Sequence, residues 1–309
     1  MNVSISNNTL RVLSQFSARE KVTLMVGLGI RRYKNWSLDR IKALRPEFNV
    51  CGLYYLYYHY LTERGYKLQK EGDGNVVDLK NTSNECLKVF LRRMTSDYDV
   101  FEQVLINEEY KPLTDLVRDW VDPQDIEYVI DAGGNIGLTT LYLTRAFPKA
   151  SVITMEPAER NYNAMLKNFA LNNLSRVHPI RAGLWHKNEA LTLDYTFGDK
   201  REWAIAVKPA AQSQAKAHYT VPGMTLKKVM QQFDFPRIDV LKIDIEGAEQ
   251  YLFENPKDMA EILRKVRFIA IEVHGELNIK GSIVSQLEGA GFALREVSET
   301  LIGINTTLH

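Results

Sequence analysis

From about residue 97 onward, short apolar runs alternate along the chain with segments of helical periodicity. The pattern predicts strands at Ile126–Asp131, Ser151–Glu156, Val177–Trp185, Ile238–Asp244, Val266–His274, Phe292–Val297 and Leu301–Asn305. It predicts helices at Asn135–Phe147, from Pro157 to about Asn172, and at 225–232, 257–264 and 282–290. Strands separated by helices imply right-handed crossovers, so we expect an α/β fold with a doubly wound, mostly parallel sheet.

Two places depart from this alternation. A polar segment follows the third strand, and its pattern predicts a hairpin with Leu191–Tyr195 and Trp203–Lys208 as its strands. The last two strands have too few residues between them for a crossover helix, so we expect them to be antiparallel neighbours.

The first 95 residues have a less regular hydrophobic pattern. They contain irregular segments of helical periodicity and a polar break at Glu71–Asn75. We therefore expect an N-terminal accessory region over 1–95, mainly helical and of unknown role, and a second domain over 96–309. Five tyrosines crowd one segment of the accessory region: Tyr54, Tyr55, Tyr57, Tyr58 and Tyr60. Such a cluster can form a stacking or sugar-binding platform, but amphipathic packing against the main domain is the preferred interpretation.

Composition narrows the classes of partner. The chain has 309 residues, 45% of them hydrophobic, and its 39 Lys and Arg balance 38 Asp and Glu to a net charge of +1. Such a balance gives no electrostatic reason to expect nucleic acid or an anionic membrane as the main partner. The apolar run Thr23–Ile30 is far shorter than the roughly 20 residues that span a bilayer, so we expect a buried strand or helix turn there.

Cellular location follows from the same kind of evidence. The polar start Met1–Leu10 disfavours a secretory signal. Cys51 and Cys86 form neither a C-x-x-C pair nor a disulfide framework. We expect a cytoplasmic globular protein without a membrane span.

The segment Val129–Gly137 is a predicted strand, a glycine turn and a helix start, an arrangement that presents backbone N–H groups to a polar ligand. Its glycines allow a tight turn and a close approach of the backbone to that ligand. Glu156 ends the next strand about twenty residues further on, where a carboxylate accepts hydrogen bonds from both ribose hydroxyls of a bound nucleoside. The segment therefore predicts a site for a ribose-bearing cofactor.

The spacing of the glycines indicates which cofactor. A dinucleotide site requires G-x-G-x-x-G, but counting from Gly133 places Asn135 and Leu138 at the later glycine positions. Asp131 would also place a negative charge near phosphates. S-adenosylmethionine has a sulfonium, an amino group and a ribose but no phosphate, so D-x-G-x-x-x-G favours that cofactor. The expected cofactor contacts are Asp131, Gly133, Gly134, Asn135, Gly137, Glu156, Pro157, Leu184 and Asp244.

Ionisable residues interrupt two strands that should be apolar. Lys242, Asp244 and Glu246 share one face at period two in one predicted strand, and Glu272 and His274 do so in the next. Burying a charge costs several kcal/mol unless it is paired, and the carboxyl ends of such strands are where open α/β sheets bind ligands. The structural alternative is that Lys242 merely neutralises Asp244 or Glu272 as a buried pair.

Several of these segments resemble those of known methyltransferases. The glycine loop together with Met155–Pro157 resembles motifs I and II of class I S-adenosylmethionine-dependent methyltransferases. Segments similar to the FkbM family of methyltransferases are Val240–Glu249, Ile271–His274, Thr95–Val104 and Glu109–Tyr110. The resemblance covers roughly residues 90–300. It implies a seven-stranded cofactor-binding fold that usually acts on hydroxyl groups of sugars or other secondary metabolites.

The hypothesis for the reaction is in-line transfer of a methyl group from the sulfonium to an acceptor hydroxyl. Holding donor, methyl and acceptor collinear supplies up to about 7–11 kcal/mol of the barrier reduction. A general base adds a factor of roughly 10²–10⁴, and His274 is the preferred base because imidazole titrates near neutral pH. Glu272 or Asp244 would orient the base or bind the acceptor.

Three alternatives stay open. Asp244, Glu246, Glu272 and His274 could form an oxygen-rich divalent metal site, although such clusters more often pair internally, and no metal is expected. The chain could instead be an NAD(P)-linked oxidoreductase, which the broken glycine pattern disfavours. It could also be a non-catalytic binding or scaffold protein on the same fold.

The acceptor is expected to be a small molecule or a glycan with a hydroxyl group. An N-P-P-Y-like turn after the fourth strand and a cysteine preceded by proline are both missing, which argues against nucleic acid. Arg201, Trp203, Lys208 and His218 either line an acceptor pocket or are solvated charges on an exposed hairpin.

Overall fold

The computed structural model describes residues 14, 16–22, 54, 58, 60–80, 86–195, 205–210, 220–273 and 279–308. The chain divides into two compact units, Met1–Asp99 and Val100–His309. Features singled out from the sequence that lie outside the described residues are Thr23–Ile30, Cys51, Tyr55, Tyr57, Arg201, Trp203, His218 and His274. No helix among the described residues is long and apolar enough to cross a membrane.

The N-terminal unit contains a three-stranded antiparallel sheet. Its strands β1 (Lys67–Glu71), β2 (Gly74–Lys80) and β3 (Cys86–Arg92) pair in sequence order. The polar break seen in the sequence is the turn between β1 and β2, where Gly72 has a φ of 58°. The prediction of a mainly helical region is therefore wrong for residues 67–92. The reason is that β1 buries only Leu68 and is otherwise polar, so no strand pattern is visible in its sequence.

Two tyrosines of the sequence cluster are core residues of this unit. Tyr54 and Tyr58 are each 2% exposed, and their rings contact each other and, through Tyr54, Phe16 and Tyr98. The side-chain amide of Asn75 donates hydrogen bonds of 2.8 Å to the hydroxyls of Tyr54 and Tyr98. Packing thus explains these two tyrosines, and it takes place within the N-terminal unit.

The C-terminal unit is built on a seven-stranded sheet in the order β13-β14-β12-β11-β4-β5-β6. Its strands are β4 (Tyr128–Ala132), β5 (Ser151–Met155), β6 (Val177–Ile180), β11 (Ile238–Ile243), β12 (Val266–Glu272), β13 (Phe292–Val297) and β14 (Thr300–Asn305). All neighbours are parallel except β14, which is antiparallel to both β12 and β13. This confirms the predicted doubly wound α/β fold and its antiparallel last strand.

Helices connect the strands of this sheet and precede it. They are α1 (Asp97–Phe101), α2 (Lys111–Trp120), α3 (Leu138–Ala146), α4 (Glu159–Leu171), α5 (Leu226–Gln232), α6 (Glu249–Leu252), α7 (Pro256–Leu263) and α8 (Lys280–Gly289). Directly after α1 the chain forms a π-helical segment, Glu102–Ile106.

A second, four-stranded sheet accompanies the main one. It consists of β7 (Gly183–Leu184), β8 (Glu189–Asp194), β9 (Ala206–Pro209) and β10 (Thr220–Met224), in the order β7-β10-β8-β9. The predicted hairpin is confirmed as the antiparallel pair β8–β9. The single strand predicted at Val177–Trp185 is wrong, because its first part pairs with β5 and its last part with β10. β10 was not predicted, since Pro222 and Gly223 weaken its strand pattern.

The main sheet is covered on both faces. Alternate residues of one strand belong to different core clusters: Leu241 and Ile243 of β11 pack in one, and Val240 packs in the other. Both β11 and β4 are apolar over most of their length for this reason. The parallel strands therefore end together at one edge, where their carboxyl ends meet.

Candidate active site

The turn between β4 and α3 can be made only with glycine at its first position. Gly133 has a φ of 83°, and a Cβ there would lie 1.6 Å from the carbonyl oxygen of Asp244. The backbone N–H groups of Gly133 and Gly134 donate to the carbonyl oxygen of Met155 at 3.0 and 2.8 Å. These hydrogen bonds join the turn to the end of β5, and Gly133 packs against the backbone of Asp244, directly after β11.

Glu156 joins the same turn to the loop after β5. Its carboxylate accepts hydrogen bonds from the backbone N–H of Asn135 at 2.9 Å and of Ala158 at 2.8 Å. The side-chain oxygen of Asn135 is buried and has no hydrogen-bond partner among the residues that the structure describes. Because a carboxylate oxygen accepts more than one hydrogen bond, the pair offers acceptors to a polar ligand.

Lys242 is the central cation of the site and is only 1% exposed. Its Nζ donates to the carbonyl oxygen of Gly133 at 2.7 Å and lies 3.3 Å from Asp131 Oδ1 and 3.4 Å from Asp244 Oδ2. Burial alone would lower the pKa of Lys242, but the oxygens of Tyr110, Asp131, Asp244 and Glu272 outweigh it and raise the pKa well above its usual range. Lys242 is therefore an ammonium at all working pH values.

Asp131 is fully buried beneath this ammonium. Its second carboxylate oxygen accepts a 2.6 Å hydrogen bond from the hydroxyl of Thr140 on α3. The structural alternative considered for Lys242 is thus partly correct. The lysine neutralises Asp131 and Asp244 together, and it also holds the glycine turn through Gly133.

The loop after β11 carries two more of the expected residues. β11 ends at Ile243, so Asp244 and Glu246 do not belong to the strand, and the predicted period-two face is wrong beyond Lys242. Glu246 has a φ of 54°, which redirects the chain. The buried carboxylate of Glu249 then accepts from the backbone N–H of Ile245 at 2.9 Å and fixes the loop.

These elements enclose a cleft of about 990 Å³ at the carboxyl edge of the main sheet, at the upper end of ordinary small-molecule sites. The residues singled out from the sequence that line it are Gly133, Gly134, Asn135, Glu156, Pro157, Leu184, Lys242, Asp244, Glu246 and Glu272. Asp131 lies behind Lys242 and does not line the cleft. Gly137 does not line it either, and a Cβ there would lie 2.7 Å from the ring of Phe169. His274 follows the carboxyl end of β12 but lies outside the described residues.

Sequence reasoning did not single out several cleft residues as site residues. Glu109 and Tyr110 follow the π-helical segment, and Glu296 and Glu299 come from the β13–β14 hairpin. Glu109 and Tyr110 were visible only within the family resemblance, and no sequence signal marks the hairpin residues. Lys208, a suggested acceptor contact, instead pairs with Asp194 at 2.9 Å.

Two of the added residues have altered acidity. Enclosure by the cleft walls, and then the Asp244 carboxylate, raise the pKa of Glu109 above its usual 4.5. Burial likewise raises the pKa of Tyr110 well above its usual range, so its phenol stays protonated. Among the described residues no three Asp, Glu, His or Cys side chains are grouped to hold a metal ion.

Comparison with known proteins adds independent findings. The family model described as "Methyltransferase FkbM domain" matches residues 131–294, more than half of the chain. Methyltransferase sdnD of Sordaria araneosa is 29% identical over 210 residues, covering 59% of this chain and 80% of that protein. Methyltransferase 1 of Beauveria bassiana (strain ARSEF 2860) is 26% identical over 185 residues, covering 55% and 74%. Hexuronic acid methyltransferase AglP of Haloferax volcanii is 23% identical over 167 residues, covering 54% and 64%.

Proposed function

The chain belongs to the FkbM methyltransferase family, and from this premise we propose that it transfers a methyl group from S-adenosylmethionine to a hydroxyl group of a sugar, glycan or secondary metabolite. The observation that carries the proposal is the cleft at the carboxyl edge of the sheet, where the glycine turn meets the carboxylates of Glu156 and Asp244. The matched region contains all these parts.

The residues present fit this cofactor. Gly133 and Gly134 of the turn line the cleft, and Asn135 offers a buried oxygen with no hydrogen-bond partner among the described residues. Glu156, at the end of β5, would accept hydrogen bonds from the ribose hydroxyls, and Pro157 and Leu184 would border the nucleoside. Asp244 would face the amino group of the methionine part. When bound, the cofactor supplies a methyl group on a positively charged sulfur.

The buried residues Asp131 and Gly137 would act through their neighbours. Asp131 keeps Lys242 in place under the turn, and Lys242 in turn holds the carbonyl of Gly133 and the carboxylate of Asp244. Gly137 allows α3 to begin directly above Phe169. Both therefore fix the backbone that meets the cofactor.

On the acceptor side, a base removes the proton of the attacking hydroxyl. His274 is our candidate, and Glu272 at the end of β12 would orient it or bind the acceptor. The name of the relative AglP, a hexuronic acid methyltransferase, supports a sugar as the class of acceptor. Membership of a methyltransferase family weighs against the NAD(P)-linked alternative.

Calorimetric titration with S-adenosylhomocysteine, with NADH in a parallel cell, tests the cofactor. We expect saturable one-to-one binding of the former and none of the latter. Glu156→Ala should weaken this binding, whereas Glu159→Ala, three residues away on the exposed first turn of α4, should leave it unchanged. Binding of NADH alone, or of neither ligand, would overturn the proposal.

A kinetic comparison tests the base. His274→Ala should lower turnover while leaving the affinity for S-adenosylhomocysteine nearly unchanged, because the base meets the acceptor and not the cofactor. Equal losses of turnover and of cofactor affinity would remove His274 from this role.

A further inference from the structure

The walls of the cleft carry far more acidic than basic side chains. Among its described lining residues, seven carboxylates (Glu109, Glu156, Asp244, Glu246, Glu272, Glu296 and Glu299) face two ammonium groups (Lys242 and Lys280). Both ammonium groups are already engaged, since Lys280 pairs with Glu296 and Lys242 lies between Asp131 and Asp244. The described walls therefore have an excess of negative charge that their own cations do not neutralise.

Glu109 and Glu299 are exposed carboxylates that line the cleft, that our cofactor assignment leaves unused, and that have no ion-pair partner within the described residues. They come from different elements, Glu109 from the segment after the π-helix and Glu299 from the turn between β13 and β14. That turn adjoins the end of β12, where Glu272 pairs in register with Thr300. Both carboxylates line the same cleft, as does Glu272.

Tyr110 is a second and independent indication that a polar ligand enters here. Its side chain lines the cleft although the residue is only 5% exposed. Its hydroxyl has no hydrogen-bond partner in the part of the chain that the structure describes, while its ring faces Lys242 Nζ at 5.9 Å. A protonated phenol that lines the cleft without a protein partner can donate a hydrogen bond to a ligand or accept one from it.

We propose that the acceptor is an amino alcohol in the broad sense: it carries a protonated amine close to the hydroxyl that receives the methyl group. The ammonium binds between Glu109 and Glu299, and the polar group beside it meets Tyr110. This inference rests on the proposed function and names the acceptor class for that same site. An acceptor with a carboxylate or phosphate at this position would face like charges instead.

The same arrangement decides which atom is methylated. An ammonium has no lone pair to attack a methyl group, and two neighbouring carboxylates hold the amine in that form. The hydroxyl oxygen is then the nucleophile: a C–O bond forms, the bond from the methyl carbon to sulfur breaks, and the hydroxyl proton passes to the base. The amine is bound and unchanged, so the site selects oxygen over nitrogen.

Three sugars that share one ring size and differ in charge test the proposal. Full-length protein saturated with S-adenosylhomocysteine is titrated with glucosamine, N-acetylglucosamine and glucuronic acid, and binding is followed by ligand-observed NMR. We expect glucosamine to bind about tenfold more tightly than N-acetylglucosamine, which is of the order of one partly screened charge interaction, and glucuronic acid to bind weakest. The preference should shrink as salt is added.

Single substitutions test which carboxylates cause the preference for glucosamine. Glu109→Gln and Glu299→Gln should each reduce the preference for glucosamine, and the double variant should bring the ratio of the two affinities close to one. Glu288→Gln, which changes an exposed glutamate of α8 outside the cleft, should leave the ratio unchanged. Tyr110→Phe should weaken the binding of all three sugars to a similar extent, because the substitution removes a hydrogen bond but no charge.

Equal affinities for the three sugars, or no binding of any of them to the saturated protein, would overturn the amino alcohol proposal while leaving the proposed function in place. A preference that survives in the double variant would also overturn it. Failure of S-adenosylhomocysteine itself to bind would instead overturn the proposed function, and this inference with it.

Discussion

The amino edge and the carboxyl edge of the seven-stranded sheet, where the amino and carboxyl ends of its parallel strands lie, differ in their balance of carboxylates and cations. At the amino edge, Asp239 at the start of β11 is fully buried and accepts from the backbone N–H groups of Glu127 and Tyr128 at 2.9 and 3.0 Å. Arg237 and Arg267 also donate to it, at 2.8 and 3.2 Å. One carboxylate at this edge thus has two cations and two backbone donors.

At the carboxyl edge, carboxylates outnumber cations. There one ammonium, Lys242, is shared by Asp131 and Asp244, and further carboxylates stand around the cleft. Folding requires only that a buried charge be satisfied, and Asp239 shows how this chain does so. The buried carboxylates Asp131 and Glu156 at the other edge are satisfied in the same way. Glu109 and Glu299, which have no ion-pair partner within the described residues, are instead exposed in the cleft, where our proposal places a positively charged acceptor.

The largest effect on stability is expected from Lys242→Met. This change leaves Asp131 fully buried with only the Thr140 hydroxyl as partner, so the free energy of unfolding should fall by about 3–5 kcal/mol. Urea denaturation measures it. Adding Asp131→Asn to the variant should recover much of the loss, because the unpaired charge is gone. A loss below about 1 kcal/mol would mean that the ion pair is not needed to satisfy Asp131.

Asp244→Asn should separate function from stability at the same edge. The side chain of Asp244 is 24% exposed and its partner Lys242 keeps Asp131, so the free energy of unfolding should change by less than about 1 kcal/mol. The value of kcat/KM for methyl transfer should fall roughly 10²–10³-fold, as when one preorganised electrostatic group is removed from an active site. Near-normal activity of Asp244→Asn would show that the Asp244 carboxylate has no role in the active site.

Asp239→Asn is the matched change at the amino edge. Losing charge-assisted hydrogen bonds from Arg237 and Arg267 should lower the free energy of unfolding by about 2–3 kcal/mol. The kcat measured well below the melting temperature should stay unchanged, because this edge does not line the cleft. A parallel drop in kcat would contradict the division between the two edges.

The sequence predicts the main sheet well because both of its faces are covered. Strands such as β4 and β11 then read as apolar runs, and the few ionisable residues in or after them, such as Lys242 and Asp244, stand out. The glycine turn is predictable for a related reason, because a φ of 83° and the contact with Asp244 leave no room for a side chain at Gly133.

The failures have physical causes too. Val177–Trp185 reads as one strand because apolar residues stand at both of its ends, although its two parts pair with different sheets. Glu109 and Glu299 are ordinary glutamates beside a helical segment and in a hairpin turn. Only the chain path brings them into the cleft with Tyr110, and no spacing in the sequence records that approach.

The smallest expected effect is a shift in the pH dependence of ligand preference. Burial of Glu109, and then the charges of Asp244 and Glu299, raise its pKa above 4.5, while the charge of Lys242 acts in the opposite direction. Glu109 therefore takes up a proton at a higher pH than an ordinary glutamate, while the amine of glucosamine stays charged. The preference for glucosamine over N-acetylglucosamine should be full above the raised pKa and fall as the pH is lowered through it.

Glu109→Gln supplies the control for this titration. In that variant the residual preference for glucosamine depends on Glu299, and the loss of preference caused by protonation of Glu109 should be absent. Stability should respond in the opposite sense, because a carboxyl group whose pKa is raised by folding binds its proton more tightly in the folded state. The wild type should therefore gain stability relative to Glu109→Gln as the pH falls toward the usual glutamate range. If the ligand preference of the two proteins had the same pH profile, Glu109 would not belong to the ammonium site. The excess negative charge of the cleft would then come from the other carboxylates.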